Sequence, residues 1–290
     1  MSETEEMAEL PSTLRPCSTS SQTVPRIIAL GEYAAAALAQ SDGTLRLIPG
    51  FAQTPYRLAG EHIIWVGTSG EAHPRAVFVD APLLGVTLAW DGRYPSPTPL
   101  REHTGLAHAT VTASLAALAR RCGELGAPRG WGPLLTGERP AFPLDARTGE
   151  AHALAAAVAA DDAAAFTQAG LRLLGVGGGL TPSGDDLVGA TLFTLHHLGA
   201  GDARWQAAVR ALNTAAHTRT HSISAALFAD LARGASFAPL HQLLDAAGAA
   251  NIEAMLAAAR KLTAIGHSSG WDMLGGMVVA ATGAWQPPSH

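Results

Sequence analysis

A chain of 290 residues with 48% hydrophobic side chains can bury one large core or two modest ones. Its formal net charge of −5, with no block of basic residues, argues against nucleic acid as a main partner. No apolar run reaches the roughly 18 residues of a membrane span, and the acidic start MSETEEMAEL lacks the apolar core of a signal peptide, so a cytoplasmic protein without a membrane partner is expected.

In chain order, residues 1–24 are rich in Ser, Thr, Pro and Glu and read as a disordered tail. IALGEYAAAALAQ (28–40) predicts one helix. Short strand-like pieces follow: LRLIPGF, YRLAG, HIIWVG, AVFVD and LLGVTLAW, separated by turn chemistry such as SDG and GTSGEAHP. Short connections between neighbours predict a mainly antiparallel sheet or small barrel up to about Trp90. The boundaries of this β-rich part are set at 25–100. Residues 101–150 read as a connector with one helix, TVTASLAALARRCG, ending at Gly123.

Residues 151–290 are Ala/Leu-rich with helical spacing. Helices are predicted at 151–159, 162–173, 185–198, 203–233, 238–263 and 270–284, with breaks allowed within the fourth and, near Gly248, the fifth. The longest candidate for a membrane span, Met273 to Trp285, is interrupted by glycines and reads as a buried helix. The fold class expected is therefore α+β: a mainly antiparallel β-rich part, then a helical part in which two glycine-rich loops open helices. Cys17 and Cys122 match no metal or redox spacing.

The helical part contains an internal repeat. Ser183-Gly184-Asp185-Asp186-Leu187-Val188-Gly189-Ala190 aligns with Ser269-Gly270-Trp271-Asp272-Met273-Leu274-Gly275-Gly276. Both copies read S-G-x-D-apolar-apolar-G-small. Ser183 and Ser269 are expected as N-caps, with Asp186 and Asp272 in the first turn, where the helix dipole favours a negative charge. Gly189 and Gly275 would admit a neighbouring backbone. Two such helix starts are expected to converge on one pocket.

Each cluster suggests chemistry. Gly177, Gly178 and Gly179 can present backbone N–H groups, and Thr181 and Ser183 hydroxyls, to a phosphate or carboxylate at the start of a helix. The loop is not a P-loop, because no G-K-[ST] follows, nor a dinucleotide fingerprint, because a helix and not a strand precedes it. Asp185 and Asp186 would repel an anion held there. Either a divalent cation such as Mg²⁺ bridges them, or they accept hydrogen bonds from ligand N–H groups. The cofactor therefore stays open.

In the second loop, GHSSG (266–270) matches the nucleophile-elbow pattern G-x-S-x-G with Ser268 as nucleophile. The elbow needs a preceding strand, whereas NIEAMLAAARKLTAI is helical by pattern. His267, Ser268 and Ser269 then read as hydrogen-bonding groups for a polar ligand. In HTRTHSIS (217–224), His217 and His221 stand four residues apart, as do Thr220 and Ser224, which places each pair on one helix face. Thr218 stands where a zincin needs Glu, so no metal site is assigned. Arg219 could hold a carboxylate or phosphate bidentately. His196 and His197 fall late in their helix, where they suit its negative end.

GVGGGLTPSGDDLVGA (175–190) resembles the signature of the AllH-type family. IGHSSGWDMLGGM (265–277) is similar to its second motif, and TRTHSISAALFADLARG (218–234) to the segment between them. The resemblance covers about Gly175 to Gly283. It implies a subunit of an oxamate carbamoyltransferase in the anaerobic breakdown of allantoin, part of purine degradation. That enzyme converts oxalurate and phosphate into oxamate and carbamoyl phosphate, and other carbamoyltransferase subunits are implied as partners.

The implied ligand is a small anion bearing an amide or ureido group. On this reading His267, Asp186, Asp272 and His221 serve catalysis. Gly177, Gly178, Gly179, Thr181, Ser183, Asp185, Ser268, Ser269, Arg219, Thr220 and Ser224 bind substrate. The imidazoles would donate to a tetrahedral oxyanion or carry a proton. Two alternatives stand beside it: a non-catalytic scaffold or regulatory subunit whose glycines serve packing, and a serine hydrolase using Ser268.

Overall fold

The structure, a computed structural model, describes residues 24–286 apart from 42, 84, 86–87, 89–93 and 104. The tail at 1–23 and most of LLGVTLAW lie outside the described residues. Five strands form one sheet: β1 (Ile27–Leu30), β2 (Leu45–Leu47), β3 (Tyr56–Ala59), β4 (His62–Gly67) and β5 (Ala76–Val79), in the order β1-β5-β4-β3-β2. Three pairings are antiparallel and β4–β5 is parallel, so the sheet is mixed. Helix α1 (Glu32–Ser41) covers it, and Leu30, Leu38, Leu45, Ile64, Val77 and Val79 form a small core.

The single helix expected at 28–40 is corrected here. Ile27–Leu30 is a strand, and the helix begins at Glu32. The β-branched pair Ile27-Ile28 gains a partner in β5, and Gly31 marks the switch. A Cβ at Gly31 would overlap the Pro74 carbonyl, so the backbones approach there as only glycine allows.

The helical part contains α2 (His108–Ala119), α3 (Thr148–Ala159), α4 (Ala163–Leu173), α5 (Ser183–His197), α6 (Ala203–Arg219), α7 (Ser222–Leu231), α8 (Ala238–Gly248), α9 (Ile252–Thr263) and α10 (Ser269–Thr282). Three 3₁₀ turns, Cys122–Leu125, Gly132–Thr136 and Leu144–Arg147, fill the irregular stretch after α2. Helix α2 is no mere spacer: Val111, Leu115 and Leu118 join the helical core, and the helix packs on α10 and α8.

Helices α5 and α10 form the centre. Both are apolar nearly all round and buried along almost their whole length, the signature of a core helix. Among the described residues no helix is long and apolar enough to cross a membrane. The close backbone approach falls at Gly276, whose Cβ would lie 2.5 Å from the Leu187 carbonyl oxygen. The expected positions behave differently: Gly189 faces Phe228 and Leu231 side chains, and Gly275 faces Trp285.

The sheet is joined to the helices by polar and apolar contacts. Ile48, Tyr56 and Ile63 pack with Ile223 and Leu227 of α7. The Arg75 guanidinium forms a two-pronged ion pair with buried Asp230 of α7 and donates to the Ile63 carbonyl at 3.0 Å. Bidentate geometry and burial make this a strong, directional joint. It ties β4 and the residue before β5 to α7.

Candidate functional site

The sequence repeat is a repeated helix–loop–helix. In the first copy, Val176 N–H donates to the Leu173 carbonyl (3.0 Å) and Gly184 N–H to the Val176 carbonyl (2.8 Å). In the second, Ile265 N–H donates to Leu262 (2.9 Å) and Gly270 N–H to Ile265 (3.1 Å). In each pair the first bond satisfies a carbonyl left over at the end of one helix and the second an N–H left over at the start of the next. A Cβ at Gly184 would overlap the Leu173 carbonyl, and one at Gly270 the Leu262 carbonyl. These two glycines are therefore set by the hairpins themselves.

The serines do not cap their helices. Ser183 and Ser269 are the first residues of α5 and α10, and neither helix has a side-chain cap hydrogen bond. By contrast Asp162, Asp202 and Asn251 cap α4, α6 and α9. The hydroxyls bond across the repeat instead: Thr181 Oγ1 to Ser269 Oγ at 2.8 Å, and Ser183 Oγ to Ser268 Oγ at 3.2 Å. Four hydroxyls thus stitch the two helix starts together.

The three carboxylates have separate fates. Asp185 Oδ1 accepts from Gly175 N–H at 2.7 Å and Oδ2 from Ser224 Oγ at 2.6 Å, so both oxygens are used inside the protein. Asp272 is fully buried; its Oδ1 accepts from Trp131 N–H at 2.6 Å, while Oδ2 has no partner. Gly130, at φ 55°, makes room for it, since a Cβ there would overlap Asp272 Oδ1. Asp186 lines an open cleft, and its buried Oδ2 also lacks a partner.

Burial disfavours the charged form of both orphaned carboxyls. It pushes Asp272 up to about 7, against the Trp131 N–H and the neighbouring Ser183 and Ser268 hydroxyls. Asp186 is pushed well above the carboxylate range, first by burial and then by the neighbouring Asp272; the nearby Ser269 and Thr181 hydroxyls act in the opposite direction. A protonated Asp186 is both donor and acceptor. It does not repel an anion.

The cleft has a volume of about 860 Å³. Gly178 to Thr181, Asp186 and His267 to Ser269 form one wall. Tyr56 and Trp65 of the sheet and His73 face it. Arg260 and Lys261, the chain's single lysine, stand at its edge. Burial raises the Tyr56 phenol, so it stays protonated.

Of the residues singled out by sequence, Gly178, Gly179, Thr181, Asp186, His267, Ser268 and Ser269 line the cleft. Gly177, at φ 112°, packs on Ser183, which with Asp185 and Asp272 lies behind that wall. The HTRTHSIS expectation is corrected: the helix breaks at Thr220 and His221, both extended, so the four-residue pairs share no helix face. Arg219 donates to the Leu171 carbonyl at 2.7 Å and is exposed. Thr220 Oγ1 is buried without a partner. His221 Nε2 lies 3.2 Å from the Gly179 carbonyl and so steadies the loop.

Sequence reasoning missed Tyr56, Trp65, His73, Arg260 and Lys261. The first three arrive through the sheet, far away in sequence. The basic pair had a usable signal, two adjacent cations just before the second loop.

Two sequence options meet the geometry badly. A helix, α9, precedes Ser268, and its hydroxyl pairs with Ser183, so a strand-based nucleophile elbow is not formed. A Mg²⁺ ion bridging Asp185 and Asp186 does not fit, because both Asp185 oxygens are engaged.

Together these features define an α+β protein in which a duplicated helix–loop–helix places a buried carboxyl and paired hydroxyls on the wall of a cleft closed by a sheet. A family model described as oxamate carbamoyltransferase subunit AllH matches residues 173–281. The match begins at the end of α4, runs through both loops and ends within α10, the same stretch that carries the resemblance in the sequence. The family's description is that of a carbamoyltransferase subunit. No curated protein and no solved structure matches the chain.

Proposed function

We propose that the cleft binds a small anionic carbamoyl compound and that the chain serves an oxamate carbamoyltransferase, interconverting oxalurate plus phosphate and oxamate plus carbamoyl phosphate. The observation that carries this reading is Asp186, a buried carboxyl on the cleft wall whose Oδ2 has no partner. A neutral carboxyl there offers one donor and one acceptor, which matches the O=C–N–H edge of a carbamoyl or ureido group. Leaving such a group unmatched costs about 1–3 kcal/mol, so the site selects ligands that satisfy it.

The anionic end has its own recognition groups. Gly178 and Gly179 supply backbone N–H groups near the start of α5, and Lys261 and Arg260 supply charge at the cleft edge. In the reaction a phosphate oxygen attacks the ureido carbonyl carbon. A tetrahedral oxyanion forms, the bond from carbon to the oxamate nitrogen breaks, and that nitrogen takes a proton. The Thr181 and Ser269 hydroxyls are placed to hold the carbonyl side, with positioning as their main contribution. His267, exposed on the cleft wall, is the imidazole assigned to carry the proton.

The test is ligand binding to the purified chain, by calorimetry and thermal shift, with oxalurate, oxamate, carbamoyl phosphate and phosphate. Binding of at least one carbamoyl compound is expected, with a loss of at least about tenfold in Asp186→Leu. If none of the four binds, the reading fails for the isolated chain. The complex purified from the native host is then assayed for oxalurate phosphorolysis. A second reading, a scaffold subunit, is favoured by Gly184, Gly270 and Gly276, whose need for glycine is fully met by packing. It predicts that Asp186→Leu leaves the activity of the complex unchanged.

A further inference from the structure

A second cluster of side chains lies at the opposite end of α5 from the cleft. His197 ends that 15-residue helix, about 20 Å from its start. It meets His103, from the segment before α2, and His241 of α8. One ring nitrogen from each of the three lies within 4.8 Å of the others. His103 and His241 approach most closely, Nε2 to Nδ1 at 2.8 Å.

The outer hydrogen bonds fix how these rings present themselves. His103 Nδ1 lies 2.7 Å from Asp245 Oδ1, and Arg101 pairs with the same carboxylate at 2.5 Å. The carboxylate accepts from Nδ1–H, which leaves a lone pair on Nε2 that accepts from His241 Nδ1–H. His197 Nε2 lies 2.9 Å from the Gly234 carbonyl. A carbonyl only accepts, so Nε2 carries the proton and Nδ1 the lone pair. Outer N–H groups given to a carboxylate and to a backbone carbonyl are the arrangement that orients metal-bound histidines.

We propose that His103, His197 and His241 form a binding site for a divalent transition-metal ion, Zn²⁺ by preference. Three neutral imidazoles suit Zn²⁺, which takes nitrogen ligands at about 2.1 Å and keeps a fourth position for another ligand. Tetrahedral ligation at that distance sets the nitrogens about 3.4 Å apart, so the widest separation would close by up to about 1.4 Å, and the 2.8 Å pair would open by about 0.6 Å as the His241 proton moves to Nε2. Burial keeps the imidazoles uncharged and ready to bind: it pulls His241 down to about 3 and His197 to about 4, and lowers His103 despite Asp245. Phe193 packs edge-on against both His197 and His241 and sets their ring planes. The ion would tie the segment before α2 to α5 and α8, at the end of the molecule away from the cleft.

The test uses the full chain, stripped with a chelator and then titrated with Zn²⁺ or Co²⁺. About one Zn²⁺ per chain is expected by elemental analysis. Melting temperature should rise by about 5 °C or more at a hundredfold excess over Kd. His103→Gln, His197→Gln and His241→Gln should each weaken binding at least tenfold and lose the thermal shift. Unchanged binding in the three variants, or no binding by the folded wild type, would overturn the site and leave a hydrogen-bonded histidine cluster. Should a variant fail to fold, the Co²⁺ spectrum of the wild type decides. An intense visible band from four-coordinate nitrogen ligation supports the site, and the pale spectrum of a six-coordinate ion overturns it.

Discussion

The two copies of the repeat share a backbone and differ in what they do with it. In each, a glycine seals the start of the second helix against the last carbonyls of the first. In each, an aspartate follows two residues later and keeps one oxygen without a partner. The first copy has three extra loop residues, eight positions from Val176 to Gly184 against five from Ile265 to Gly270. It also places Asp186 on the cleft, whereas Asp272 is shut behind Ser183 and Ser268 and held by Trp131 N–H. The preceding residue diverges too: Asp185 braces loop and α7, while Trp271 packs on Gly132. Duplication supplied a symmetric frame, and loop length and one neighbour made a single half chemically open.

The largest effects should come from breaking the frame. Gly184→Ala and Gly270→Ala each force a methyl into a backbone carbonyl that cannot move aside. Each should cost about 3 kcal/mol or more in denaturant unfolding, because the overlap is with main chain and not a flexible side chain. Gly178→Ala is the contrast: nothing lies within 4 Å of its Cβ. It should change stability by less than about 0.5 kcal/mol. Equal losses at 178 and 184 would mean that the shared frame has been misread.

A pH titration sharpens the closed half. Asp272 holds its proton up to about 7 in the folded protein, whereas the unfolded chain releases it near pH 4. Between those values the folded state binds more protons, so stability falls as pH rises from about 4 to about 7. The drop should be on the order of a few kcal/mol, and Asp186, also shifted upward, acts with the same sign. Asp272→Asn can still accept from Trp131 N–H and carries no charge. It should flatten the profile. A wild-type and variant difference that is constant with pH would remove this account.

In the open half the useful comparison is between Asp186→Asn and Asp186→Leu. If the neutral acid is the binding form, the amide keeps a donor and an acceptor and should bind a carbamoyl ligand within about tenfold of wild type. The leucine should lose more than that. Equal loss in both variants, read by calorimetry, would mean that a negative charge is required.

Much of this frame could be read in the sequence because it is local. The S-G-x-D repeat, the helices of the second half and the strands from Leu45 to Val79 rest on patterns within a few residues of each other. What could not be read depends on tertiary contact. Ile27–Leu30 became a strand because β5 was there to pair with it. The serines looked like caps because their sequence position suited capping; only the meeting of two helix starts gave them each other as partners. Asp185 and Asp186 are adjacent in sequence, yet one is consumed by Gly175 and Ser224 while the other opens on the cleft. Tyr56 and Trp65 reach that cleft through a sheet whose docking rests on Arg75 and Asp230, 155 positions apart.

The smallest effect tests the seam between the copies. Thr181 and Ser269 share one hydrogen bond across it, 2.8 Å long and part-buried. Thr181→Val and Ser269→Ala should each cost about 1 kcal/mol, the usual net value of one such bond plus the loss of a partner. If the two hydroxyls act on each other, the double variant costs less than the sum, with a coupling of about 0.5–1 kcal/mol in a double-mutant cycle. Simple additivity would mean that each hydroxyl is satisfied separately, through Asp186 or solvent. The two helix starts would then meet by apolar packing of α5 on α10 alone, and the hydroxyl pair would be free to turn toward a ligand without weakening the fold.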